Sequence, residues 1–194
     1  MKVVVAVDSL KDCLPSVLAG EAVSRGVRGA CPSAEVTVLP VSDGGEGMAR
    51  AFAPALHARP VCVACHDPLM RPVTARYACT PDGNTAIIET AEAIGLHLLA
   101  ADERDPEQTT SYGAGELIGH ALRAGCRRLI VGLGGSATVD AGVGMLTALG
   151  LRIANDTIDE SAFLPCRYRA EVVIAADVTN PLCGPTGAAA VFAP

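Results

Sequence analysis

Four separated loops in this sequence carry residues suited to handling a charged oxygen ligand. They are Asp8-Ser9-Leu10-Lys11, Ser42-Asp43-Gly44-Gly45-Glu46-Gly47, Gly134-Gly135-Ser136-Ala137-Thr138 with Asp140 just behind, and Asp177 with Thr179 and Asn180. Taken alone, an acidic residue after an apolar run is an ordinary turn or helix-cap residue. Four such loops in one chain point to a shared site. In the third loop, glycines allow backbone amides to approach an anion, and Ser136 and Thr138 add hydroxyl donors. A helix running on from that loop would turn its positive end toward the same anion. The loop lacks the Gly-Lys-Ser/Thr ending of a Walker A motif and the spacing of a dinucleotide fingerprint. It is the best single candidate for a phosphate cradle, the alternative being a tight turn between strand and helix.

Phosphoryl transfer asks for charge neutralisation, positioning, and a carboxylate that steers a hydroxyl proton. Lys11 offers the positive charge, and Asp43, Glu46 and Asp177 are the hard oxygen ligands that Mg²⁺ prefers. Acyl transfer fits less well. There is no Gly-x-Ser-x-Gly elbow, and His57, His66, His97 and His120 stand beside no evident nucleophile.

These loops need a scaffold, and the apolar pattern supplies one. Lys2 to Val7 is a β-branched run of the kind expected for a strand buried on both faces, and Glu35 to Val41 is a second strand. Between them Val17, Leu18, Ala22, Val23 and Val27 follow helical spacing after Pro15, and Met48, Ala51, Phe52 and Leu56 predict another helix. The character changes near Pro60, where a domain boundary is expected. Short strands follow at Val61 to Ala64, Val73 to Cys79 and Ala86 to Glu89, the last two joined by the hairpin signal Pro81-Asp82-Gly83-Asn84. Thr109-Thr110-Ser111 can cap a helix from Tyr112 to Arg123. Strands at Arg128 to Leu133 and Glu171 to Ala176 enclose the Gly-Gly-Ser-Ala-Thr loop and a helix running to about Leu149. Strands alternating with helices predict an α/β fold, with mostly parallel layered sheets, helices on both faces and an antiparallel excursion at the hairpin.

Composition narrows the function classes. The chain has 194 residues, half of them hydrophobic but only 3% aromatic, and a net charge of −6 without any basic run. Nucleic acid and anionic membrane both demand clustered positive charge, so neither is an expected partner. Val3 to Val7 is too short for the core of an export signal, and the Gly-rich stretch from Ile130 to Leu151 carries Asp140, so a cytoplasmic protein is expected. Eight cysteines include Cys62 and Cys65 before His66, a haem-attachment spelling. In a strand, positions i and i+3 point to opposite faces, so core cysteines are the better reading.

Read together, Val3 to Leu14, Pro40 to Gly47, Thr109 to Ile118, Gly132 to Gly150 and Ala176 to Pro185 resemble the signature segments of the bacterial glycerate kinase family. The resemblance implies an enzyme that uses ATP and Mg²⁺ to phosphorylate a small-molecule substrate, D-glycerate, to 2-phosphoglycerate. It further implies two α/β domains, one of them flavodoxin-like. On that basis residues 1–64 form an incomplete N-terminal α/β portion and residues 65–194 a second α/β domain carrying the Gly-Gly-Ser-Ala-Thr loop. By position, Asp8, Ser9, Lys11, Asp43, Gly44, Gly45, Glu46, Thr110, Ser111, Gly134, Gly135, Ser136, Thr138, Asp140, Asp177, Thr179 and Asn180 fall on the family's motif loops. Asp43, Asp177 and Lys11 become the catalytic candidates, Asp43 and Asp177 also the metal ligands, and Ser111 a glycerate contact. The stretch from Arg152 to Arg169 is shorter than in the family, and family members continue beyond residue 194. A truncated kinase is therefore expected, acting as a homo-oligomer or with a complementing C-terminal chain. The alternatives are a non-catalytic remnant and a nucleotide- or acid-binding module.

Overall fold

The computed structural model describes residues 1–10, 13–154 and 157–193. Strand β1 (Lys2–Val5) and strand β2 (Glu35–Val38) pair in parallel, Lys2 opposite Glu35 and Val5 opposite Val38, and helix α1 (Ser16–Ala30) makes the crossover between them. Among the described residues this sheet has two strands. Val5 is buried, but Val4 is 64% exposed, so the β-branched run is covered on one face and not on both. Uniform hydrophobicity cannot by itself tell a central strand from a strand that lacks a cover.

Helix α2 (Met48–Leu56) leads into the main sheet. Strand β3 (Arg59–His66) runs across residue 64 and pairs antiparallel with β4 (Pro72–Cys79), which pairs antiparallel with β5 (Thr85–Glu89). Between β4 and β5 the Asp82 carboxylate accepts hydrogen bonds from Thr80 Oγ1 and the Asn84 amide, closing the expected turn. The short helix α3 (Ala91–Ile94) follows, then helix α4 (Tyr112–Arg123), within the limits expected from its spacing. Strand β6 (Arg128–Gly132) returns parallel to β5. After it come the short helix α5 (Val143–Ala148), a hairpin of β7 (Arg152–Ala154) and β8 (Thr157–Asp159), helix α6 (Leu164–Tyr168), strand β9 (Glu171–Ala175) parallel to β6, and helix α7 (Ala188–Phe192). The strand order is β3-β4-β5-β6-β9. It is a mixed sheet whose parallel half carries the loops of interest.

Helices cover both faces of this sheet. On one, Leu117, Ile118, Ala121 and Leu122 of α4 pack on Tyr77, Ile88, Leu129 and Val131. On the other, Met48 of α2 packs on Ala78 and Ile87. Alternate residues of β5 thus serve opposite cores, which is why that strand reads as an unbroken apolar run. Cys62 is exposed and Cys65 buried, on opposite faces of β3. Strand β9 is different: Val172, Val173 and Ile174 are exposed at the outer edge of the sheet. No buried polar side-chain atom among the described residues lacks a hydrogen-bond partner. No helix among them is long and apolar enough to cross a membrane.

One local expectation fails. The helix predicted to run on from Thr138 begins only at Val143. Ala141 and Gly142 both have positive φ, 52° and 75°, and two left-handed residues in a row end any helical path.

Candidate functional site

Strands β5, β6 and β9 are parallel, so Glu89, Gly132 and Ala175 end on one edge of the sheet. Ligands of open α/β sheets bind beyond such an edge. Here it opens into a cleft of about 1080 Å³, at the upper end of the range for small-molecule sites. Ser9, Asp43, Gly45, Glu46, Gly134, Gly135 and Asp177 line it. Asp8 lines a smaller adjoining hollow that shares Glu46 and Arg50 with the cleft. Lys11 lies outside the described residues.

Two carboxylates face the cleft with oxygens to spare. Asp43 Oδ1 accepts the Gly45 amide at 2.9 Å, a local turn, and Oδ2 has no hydrogen-bond partner among the described residues. Asp177 is exposed at the head of the loop after β9. Glu46 Oε1 lies 3.4 Å from His97 Nδ1 across the cleft mouth.

The glycines do something other than what their spacing predicts. The Gly44-Gly45 backbone lies directly over the ends of β6 and β9, where the Gly134 amide donates to the Gly44 carbonyl at 3.2 Å. A Cβ on Gly44 would strike the Ala175 carbonyl, one on Gly132 would strike the Gly44 carbonyl, and one on Gly134 would come within 2.6 Å of Gly45 Cα. Gly44 also has φ +99°. These residues are glycine because two main chains touch. Gly135, the next residue, still lines the cleft, its carbonyl accepting the Leu96 amide at 3.0 Å.

Thr110, Ser111 and Asp140 form a second cluster that does not line the cleft. Asp140 Oδ2 accepts the Ser111 amide and hydroxyl, both at 2.9 Å, and the Gly144 amide at 3.0 Å, while Oδ1 accepts the Gly142 amide at 3.0 Å. Ser111 Oγ in turn accepts the Met145 amide at 2.9 Å. Ser111 is therefore the first residue before α4, yet its hydroxyl serves α5. The Tyr112 amide donates instead to Thr110 Oγ1 at 3.3 Å. Burial would raise the Asp140 carboxyl, but the bonds from Ser111, Gly144 and Gly142 outweigh it and hold the group below the usual carboxylate range.

The remaining expected residues sit apart. Ser136 and Thr138 do not line the cleft; Ser136 bridges to Gly95, its Oγ donating to the Leu133 carbonyl at 3.3 Å. The phosphate-cradle geometry is thereby reduced to Gly134 and Gly135, with no helix start behind them. Thr179 and Asn180 are exposed, and Asn180 Nδ2 donates to the Thr186 carbonyl at 3.0 Å.

The structure also brings in residues that the sequence did not single out. Glu89 is 6% exposed and lines the cleft, its two carboxylate oxygens accepting the Gly47 and Ala49 amides at 2.8 and 2.7 Å. It caps α2 from another strand, and burial pushes its carboxyl up despite those donors. Arg50, Arg76 and Arg104 supply the cleft's positive charge, Arg76 paired with Glu92 at 3.2 Å. Glu89 is the last residue of β5; the turn signal before it marks Ala86 to Glu89 as a hairpin arm and gives no sign of the parallel pairing with β6. The arginines have no comparable signal. Removing the Glu89 side chain strands two amides at the head of α2. Glu89→Ala is expected to lower stability by about 2 kcal/mol in urea unfolding.

Fold and cleft together define an α/β protein with an open cleft at the carboxyl edge of its parallel strands. The model of the glycerate kinase family matches residues 3–194. The chain is 43% identical over its whole length to the glycerate kinase of Bacillus subtilis and 39% to the glycerate 2-kinase of Escherichia coli K12, covering 55% of each. A crystal structure described as glycerate kinase 2 from Salmonella typhimurium LT2 superposes with a TM-score of 0.86 at 41% identity, over 99% of this chain and 56% of that one. The chain belongs to the glycerate kinase family, and it spans about half the length of the curated relatives it matches.

Proposed function

We propose that this chain carries the catalytic cleft of an ATP-dependent glycerate kinase, which transfers the γ-phosphoryl group to D-glycerate and yields 2-phosphoglycerate in the cytoplasm. The observation that carries the reading is that Asp43 and Asp177, from loops 134 residues apart in a chain of this family, line one cleft beside Gly134 and Gly135. The Gly135 side of the loop lies against the triphosphate, the Gly134 amide being taken by the Gly44 carbonyl, with Lys11, Arg50 and Arg104 balancing its charge. Ser9 and Glu46 contact the substrates. One of Asp43 and Asp177 accepts the glycerate hydroxyl proton.

Two spare carboxylates fit Mg²⁺, which takes one or two such ligands together with phosphate oxygens and water. Among the described residues no cluster of three or more ligating His, Cys, Asp or Glu side chains exists. Bound there, Mg²⁺ would neutralise charge on the phosphates. Ser111 and Asp140 act at a distance, by holding α4 to α5. We keep the division into an N-terminal α/β portion and a second α/β domain within this proposal, with the boundary moved from residue 64 to ahead of β3, which crosses it, and with the relatives' remaining length supplied by more chain or by a partner copy.

The test is ATP turnover with D-glycerate as acceptor. Asp43→Asn and Asp177→Asn are each expected to lower turnover by about 100- to 10,000-fold while leaving the fold intact. Unchanged turnover in both would defeat the assignment. ATP binding without turnover in the unaltered chain would mark a nucleotide-binding module instead.

A further inference from the structure

Of the eight cysteines, two touch. Cys79 ends β4 and Cys126 lies in the bend between α4 and β6, and their Sγ atoms are 3.8 Å apart. The others offer no such partner among the described residues: Cys13, Cys62, Cys166 and Cys183 are exposed singly, Cys65 is buried in the core, and Cys31 Sγ lies against Ser33 Oγ. Disulfide sulfurs sit about 2.05 Å apart, so this pair must close by less than ~2 Å to bond.

The two thiols differ in access. Cys126 is fully buried, and burial, followed by the neighbouring Cys79, pushes its thiol up to about 12. Cys79 is only half-buried, its Sγ 3.6 Å from the Thr80 carbonyl. Solvent oxidants therefore meet Cys79 first, with Cys126 directly behind it. A more accessible thiol thus lies in direct contact with a buried one, the geometry that a sulfenic acid on the first needs in order to be captured by the second.

We propose that Cys79 and Cys126 form an oxidative modification site, at which a hydroperoxide converts the thiol pair into an intrachain disulfide. The Cys79 thiolate sulfur attacks a peroxide oxygen, the O–O bond breaks, and the leaving hydroxide is protonated to water. The product is a sulfenic acid on Cys79. The Cys126 sulfur then attacks the Cys79 sulfur, forming S–S and breaking S–O, and the Cys126 proton leaves with the hydroxide as a second water. Two thiols lose two electrons, and one hydrogen peroxide becomes two waters.

Position decides what the bond does. Cys79 pairs with Ala86 and Cys126 precedes β6, so both lie at the amino ends of β5 and β6. The cleft opens beyond Glu89 and Gly132 and extends along the sheet to Tyr77 and Ala78, next to Cys79, although neither cysteine lines it. The disulfide staples β4 to the α4–β6 bend and acts chiefly by constraining the unfolded chain.

The experiment treats the reduced 194-residue chain with hydrogen peroxide, blocks remaining thiols and maps peptides by mass spectrometry. A Cys79–Cys126 cross-link is expected to dominate, together with a rise in Tm of roughly 5–10 °C that dithiothreitol reverses. Cys79→Ser, at the half-buried position, is expected to abolish both. If that variant fails to fold, the peptide map of the unaltered chain decides alone. Recovery of Cys79 and Cys126 as free thiols after treatment overturns the proposal. So does cross-linking scattered over the eight cysteines, as in chain oxidised in urea.

Discussion

Gly44→Ala is expected to destabilise the chain by about 3–5 kcal/mol, enough to unfold many proteins outright at 37 °C. Two penalties act at once. The residue sits at φ +99°, where an L side chain costs about 1–2 kcal/mol. Its new Cβ would also meet the Ala175 carbonyl, a main-chain atom fixed in β9 by pairing with β6. Neither neighbour can rotate away, so relief requires lifting the loop off the sheet, and the Gly134 amide then loses the Gly44 carbonyl. Gly47 is a useful control. It too has positive φ, at 87°, but no atom stands within 4 Å of its missing Cβ. Gly47→Ala should show the strain alone, about 1–2 kcal/mol. Urea unfolding of both variants measures the difference, and equal losses would refute the main-chain interlock. Ligand binding by whatever Gly44→Ala protein still folds should weaken as well, since Asp43 is the next residue along the displaced loop.

That interlock marks where the sequence was readable and where it was not. Glycine at 44, 132 and 134 was visible, and so was its position after apolar runs. A phosphate and a second main chain make the same demand, namely no side chain in the way, and spacing cannot say which of them is the neighbour. The answer depended on β6 and β9 being adjacent, a contact between residues far apart in sequence. The same limit hid Glu89. The hairpin turn fixed its strand as antiparallel to β4, while the pairing that matters, parallel to β6, left no local trace. In contrast, α1, α2 and α4 were legible because helical spacing is a short-range pattern that their own residues satisfy. Asp43 and Asp177 were placed on one edge by a rule about strand ends, and the cleft brings them together. Ser136, Thr138, Thr179 and Asn180 carried suitable side chains, yet their hydroxyls and amide lie outside that cleft, because donor chemistry alone does not fix direction.

Asp140 separates a structural from a ligand-binding role most sharply. Its carboxylate accepts three backbone amides and the Ser111 hydroxyl, tying the starts of α4 and α5 together. Removing it leaves these donors without partners in a partly buried place, so Asp140→Ala should lose about 3–4 kcal/mol. Asp140→Asn keeps one acceptor oxygen and should lose about half as much. Because the folded carboxyl is held below its usual range, its contribution is fully present above the unfolded value near pH 4 and fades as pH falls through the lower folded value. The gap between the unaltered chain and Asp140→Asn should therefore be widest at neutral pH and narrow below about pH 4, as followed by urea unfolding. Ser111→Ala removes a bond to Asp140 and leaves the Met145 amide unmet, so combining it with Asp140→Ala should cost less than the two losses added. A carboxylate whose chief partner is a ligand would behave in the opposite way. The variant would keep its stability without ligand, show no pH-dependent gap, and lose only binding. Native-like stability of Asp140→Ala at pH 7 would place Asp140 in the substrate site after all.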